Sequence, residues 1–136
     1  MFSAKAEYAC LAMLELAAQF GDPRPVRLAD VADKHGIPQR FLVQILLQLK
    51  GAGLVASTRG AAGGYHLARA PGAISLADIL DVVDRSDAPT TRKDSSPLGA
   101  TLHAVWERLH AAQSKLLRDT TLSQLVEAGQ GLQYVI

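Results

Sequence analysis

Between residues 28 and 69 the chain carries an ordered run of local signals that few folds satisfy. Leu28, Val31 and Ala32 recur at helical spacing in a segment ending at His35, and Gly36 stands where a helix closes in the left-handed region. Pro38 follows at the opening of a second helical segment, where a missing N–H is tolerated. That segment, about Pro38 to Lys50, turns Phe41, Leu42, Ile45, Leu46 and Leu49 toward a core and Arg40, Val43, Gln44, Leu47 and Gln48 toward the other side. Gly53 to Arg59 then reads as a strand, Gly60-Ala61-Ala62-Gly63-Gly64 as a flexible tip, and Tyr65 to Arg69 as a returning strand.

A short helix, a three-residue turn containing glycine and a longer helix make the helix-turn-helix pattern, and a hairpin directly behind it reads as a wing. The glycine tip lets backbone approach a phosphate or a groove without steric conflict. Ahead of this unit, a helix from about Ala4 to Phe20 lines one face with Tyr8, Leu11, Leu14 and Ala18, yet Ala9, Cys10, Met13, Leu16 and Ala17 make its other faces apolar too. Such a helix is buried on more than one side, under its own domain or against a second subunit. Behind the unit, Ser75 and Asp78 have capping-box spacing and open a helix to about Val83. Arg85 to Pro97 is polar and rich in helix breakers, the composition of a link. From about Leu98 to Arg118, Leu102, Val105, Leu109, Ala112 and Leu116 alternate spacings of three and four, with Trp106 beside them. This is the seam of a coiled-coil-like helix, expected to pack on a partner subunit rather than on its own domain. Thr121 and Gln124 cap a last short helix to about Ala128. The expected fold class is mainly α with a small β-hairpin wing. A winged helix-turn-helix domain covers residues 1–84, a linker loop 85–97, and a dimerisation helix with a short C-terminal helix 98–136.

Composition narrows the function classes. The 136 residues fit one domain of common size, and a hydrophobic content of 49% is enough for a packed core. The longest apolar stretch, Tyr8 to Phe20, is interrupted by Glu15 and Gln19 and falls short of the roughly 18 apolar residues of a membrane span. No leader pattern precedes it, so a cytoplasmic location is expected, and a single cysteine agrees with a reducing compartment. The net charge of +1 hides an asymmetry. From Lys34 to Ala77 there are five bases (Lys34, Arg40, Lys50, Arg59, Arg69) and no acid, whereas from Asp78 onward eight acids face six bases. A locally basic segment in a nearly neutral chain points to a polyanion. Catalysis has no support: no phosphate loop, nucleophile elbow or paired carboxylates occur, and the wing glycines lie between strands, not before a helix.

A set of short motifs in this order resembles the Rrf-type family of bacterial regulators. They are Lys5-x-x-Tyr8-Ala9, Leu28-Ala29-Asp30-Val31-Ala32, Gly36-Ile37-Pro38, Gly53-Leu54-Val55, Arg59-Gly60-x-x-Gly63-Gly64-Tyr65, Ile74-Ser75-Leu76 and His103-Ala104-x-Trp106. The resemblance covers nearly the whole chain and implies a dimeric repressor or activator that reads a palindromic site in double-stranded DNA. It also exposes a departure. Sensing members of the family hold a cluster with three cysteines in the loop before or at the start of the long helix. Here the segment from Ala88 to Pro97 has no cysteine, and Ala100 stands three residues before His103, where the third would be. Iron–sulfur clusters take thiolate ligands, usually four, so no cluster, and no other cofactor, is expected.

Within the second helix of the motif, Gln39, Arg40, Val43 and Gln44 occupy the N-terminal half, the part that meets base edges. Gln suits adenine, Arg suits guanine or a phosphate, and Val a thymine methyl. Some relatives carry an acid at the Val43 position, so the sequence preference is expected to differ. Arg59, ahead of Gly60, Gly63 and Gly64, resembles the family's wing arginine that enters a narrow minor groove. Lys50 and Arg69 suit phosphates, which position without specifying. Leu102, Val105, Trp106, Leu109 and Leu116 are the expected dimerisation residues. His103, Glu107 and His110 share helical spacing that suits a divalent metal, but no established metal-binding spacing is present, so a polar helix flank is expected and no metal is assigned. Cys10 reads as a small core residue rather than a redox thiol. The reading is a dimeric, sequence-specific transcriptional regulator, with repression the expected mode and room for an unidentified effector. The alternative is a winged-helix protein-interaction module, or a small-molecule or metal-sensing one, that has lost DNA binding.

Overall fold

In α1 (Ala4–Ala18) the side chains of Ala6, Ala9, Ala12, Met13, Leu16 and Ala17 are all buried, and they set the middle of the molecule. The computed structural model describes residues 2–60, 63–84 and 96–135, the side chains of 131–135 excepted. The core face of α1 is therefore the alanine-rich one. Of the other apolar face read in the sequence, Tyr8, Leu11 and Leu14 are half-buried and Ala18 is exposed. Small side chains let several helices close on α1 at short range, which larger ones would hold apart. Ser3 caps α1, accepting from the Ala6 N–H at 3.2 Å.

The helix-turn-helix follows as α2 (Leu28–His35) and α3 (Gln39–Gly51), with Gly36 between them at φ 64°. Val31 and Ala32 of α2, Ile37 of the turn, and Leu42, Ile45, Leu46 and Leu49 of α3 are buried. Phe41, expected on the buried side of α3, is 48% exposed. It stands a step off the core stripe, and its ring carries the Arg40 guanidinium 5.1 Å from its centroid, a cation–π contact.

The wing is an antiparallel pair, β1 (Val55–Thr58) and β2 (Gly64–Leu67), in which Val55 faces Leu67 and Thr58 faces Gly64. Both strands are shorter than the sequence suggests, because pairing stops where Leu54, Val55 and Leu67 anchor the hairpin to the core and where the glycines begin. Ala61 and Ala62 of the tip, and residues 85–95 of the link expected over 85–97, lie outside the described residues, whereas Ser96 and Pro97 already cap and open the helix that follows the link.

After a 3₁₀ turn (Pro71–Ala73) comes α4 (Leu76–Val83), opened by the expected capping box: Ser75 Oγ accepts from the Asp78 N–H at 3.2 Å and Asp78 Oδ2 from the Ser75 N–H at 2.9 Å. The long helix α5 (Pro97–Asp119) touches the body through α4 and has no buried residue. The chain then returns. The Leu76 N–H donates to Thr120 O at 2.9 Å and the Leu122 N–H to Ile74 O at 3.0 Å, so α6 (Leu122–Val135) packs on α1 with Leu122 fully buried. Thr121 and Gln124 form the expected cap, but α6 runs past Ala128. The end of the chain thus shares the core of the N-terminal unit. Among the described residues no helix is long and apolar enough to cross a membrane.

Candidate nucleic-acid interface

Because α3 turns Leu42, Ile45, Leu46 and Leu49 inward, helical geometry turns Arg40, Val43, Gln44 and Leu47 outward. Those four side chains, with Gln39 and Gln48, are all exposed. Neither the first turn of α3 nor its N-cap, Pro38, carries an acid, so the positive end of the helix is left uncompensated.

Lys50, in the last turn of α3, donates from Nζ to Ser57 Oγ of β1 at 2.7 Å. This bond ties the recognition helix to the wing, and no local sequence signal announces it. Beyond Thr58, Arg59 is exposed, followed by Gly60 at φ 107°, a conformation that residues with a Cβ rarely adopt. On the return, a Cβ at Gly63 would strike Thr58 O, and one at Gly64 would strike Val26 O. The second clash identifies a contact that sequence reading missed. Val26 and Tyr65 exchange both backbone hydrogen bonds at 2.8 Å, so the wing is strapped to the segment ahead of α2. The available hint was a lone β-branched residue between Pro25 and Arg27. Arg69 is exposed at the foot of the hairpin, while Arg59 is at its tip. The paired ladder between them spans three residue steps, about 10 Å, so they address different stretches of any ligand.

The five bases of the acid-free segment are not equivalent. Lys34 Nζ lies 2.8 Å from Glu15 Oε1, and His35 Nε2 lies 2.9 Å from the same oxygen. Burial raises the Glu15 carboxyl, but the hydrogen bonds and charges of Lys34 and His35 outweigh it and hold the pKa below its ordinary value. Lys34 is thus ion-paired although its side chain is 65% exposed, and Arg40, Lys50, Arg59 and Arg69 share the outer surface with it.

Of the remaining residues singled out in the sequence, His103 Nε2 sits 3.0 Å from Glu107 Oε1 on exposed α5. Among the described residues no three His, Cys, Asp or Glu side chains converge as a metal site would require. Cys10 is half-buried against the core, and burial, with the Glu7 carboxylate adding to it, pushes its thiol up to about 11.

Residues 2–128 match the Rrf2 family, described as iron-dependent transcriptional regulators. The chain belongs to this family. It is similar to the HTH-type transcriptional regulator IscR of Vibrio atlanticus (strain LGP32), 35% identical over 135 residues that make up 96% of this chain and 78% of IscR. Among solved structures it resembles CymR, the global cysteine regulator of B. subtilis, with a TM-score of 0.84 and 33% identity, covering 94% of this chain and 97% of CymR. It also resembles T. potens IscR, with a TM-score of 0.82 and 34% identity, covering 98% and 90% of the two chains. This Rrf2 protein is a DNA-binding transcriptional regulator of the winged-helix class and not an enzyme. Its residues do not fit an iron–sulfur cluster. Such a cluster takes several thiolates, and this chain has one cysteine.

Proposed function

We propose that this Rrf2 protein is a homodimeric, sequence-specific regulator that acts by repression in the cytoplasm, with no cluster of its own, on a palindromic operator. The observation that carries the reading is the shared outward surface of α3 and the wing. Gln39, Arg40, Val43, Gln44, Lys50 and Arg59 are exposed on adjoining elements, in a stretch with no acidic side chain from Lys34 to Ala77. In this reading α3 enters the major groove, and Gln39, Arg40, Val43 and Gln44 meet base edges. Arg59, with Gly60, Gly63 and Gly64 allowing close approach, enters the flanking minor groove. Lys50 and Arg69 meet phosphates. Residues 1–84 supply this surface, and α5 supplies the dimer seam through Leu102, Val105, Trp106, Leu109 and Leu116. A helix of 23 residues, about 34 Å long, that buries none of its side chains within one chain supports that role.

The test is selection of genomic fragments by the purified protein, followed by titration of a selected fragment against random DNA at physiological salt. The proposal expects a palindromic fragment bound at least about a thousandfold more tightly than random DNA. Equal affinity for both, with and without cell extract, would overturn it in favour of a winged-helix interaction module.

A further inference from the structure

Leu47 is 52% exposed and lies in the middle of the outward face of α3, directly opposite the core stripe. One turn before it, Val43 is 37% exposed on the same face. Neither is left over from core packing, because Leu42, Ile45, Leu46 and Leu49 already fill the inner side. Single apolar residues on a surface need no account, but two aliphatics one turn apart do when their neighbours are Arg40, Gln44 and Gln48. The major groove offers one apolar group to a side chain, the C5 methyl of thymine.

We propose that Val43 and Leu47 form an aliphatic clasp on two thymine methyl groups in each half-site, which makes Leu47 a specificity-determining residue. The inference rests on the DNA-binding reading above and adds a chemical class of base to it. Four residues of helix advance about 6 Å, and bases on one strand follow each other about every 3.4 Å. With α3 lying along the groove, the two methyls therefore stand about two base steps apart. Arg40 and Gln44, on the same face, supply the polar readout beside them. Phe41 lies off this face and takes no part.

The test uses a genomic fragment selected by the full-length protein, with each thymine of a half-site replaced in turn by deoxyuridine, which deletes the methyl and leaves base pairing intact. Fluorescence anisotropy should show two positions, about two steps apart, at which uracil weakens binding about fourfold, the effect of one methyl-sized group leaving an apolar contact. Replacement in both half-sites should cost about fifteenfold. Leu47→Ala should bind the thymine fragment more weakly and be indifferent to uracil at one of the two positions. Val43→Ala should be indifferent at the other. Wild-type protein that binds thymine and uracil fragments equally at every position would overturn the clasp while leaving DNA recognition intact. So would Leu47→Ala that still discriminates at both positions, which would hand Leu47 to an apolar protein partner. Failure to select any fragment would overturn both readings.

Discussion

The ammonium of Lys50 is held 2.7 Å from Ser57 Oγ at the joint between α3 and β1, whereas the guanidinium of Arg59 stands exposed ahead of a glycine tip. The two cations should therefore fail differently. Arg59→Ala is expected to weaken the selected operator by about 1–3 kcal/mol and to change base preference at its flanks. Lys50→Ala is expected to weaken operator and random DNA equally and to make the salt dependence shallower by about one unit per subunit. Binding titrations at several salt concentrations distinguish these outcomes. At Cys10, a thiol raised from 9.0 to about 11 has about a hundredfold less thiolate near neutral pH. Alkylation by iodoacetamide at pH 8 should accordingly be about a hundredfold slower in the folded protein than in urea, as followed by mass spectrometry. The exposure of Arg40, Val43 and Gln44 was readable in the sequence, since helical phase alone assigns them to the face away from Leu42 and Leu49. Phe41 was misassigned because it borders the stripe, and the cation–π contact with Arg40 offsets part of the cost of exposing it.

Among the elements, α5 exposes Leu102, Val105, Trp106, Leu109 and Leu116 along one helix, each of them about half-exposed or more. An isolated helix rarely holds such a stripe in water, so the seam calls for a partner. Leu109→Asp places a charge in that seam and should cost several kcal/mol of association. Sedimentation should show the wild type as a dimer and the variant as monomer or aggregate. An unchanged dimer would mean that the stripe does not form the interface. The joint between α1 and α2 rests on Glu15, whose side chain is 15% exposed and accepts from both Lys34 and His35. A carboxyl with a lowered folded pKa contributes stability above its unfolded pKa and loses it as pH falls through the folded value. Glu15→Gln should thus be less stable than wild type by about 1 kcal/mol at pH 7. The difference should disappear in thermal melts as the pH drops from about 5 to below the ordinary carboxyl value of 4.5. The helices themselves follow from local chemistry. Ser75 and Thr121 supply caps within three residues of the N–H groups they satisfy, which is why sequence reading found those starts, and Ser3 caps α1 in the same way without having been singled out.

For the whole molecule, the charge map differs from the one that counting suggests. In the proposed interface, with Lys34 paired to Glu15, Arg40, Lys50, Arg59 and Arg69 of each subunit are the cations offered to the DNA. A dimer then neutralises no more than about eight charges, and the log–log slope of operator affinity against salt should be no steeper than about −7. A steeper slope, measured between 50 and 200 mM salt, would mean that further cations reach the DNA. The fold class, the element order and the outward face of the recognition helix were contained in the chain itself, because spacing, capping and turn chemistry act over a few neighbouring residues. The identity of the buried α1 face, the strap between Val26 and Tyr65, the pairing of Lys34 with Glu15 and the return of Leu122 into the first core required the folded chain. Each depends on residues far apart in sequence competing for one space, and packing and backbone pairing settle that competition when the helices close around the alanines of α1.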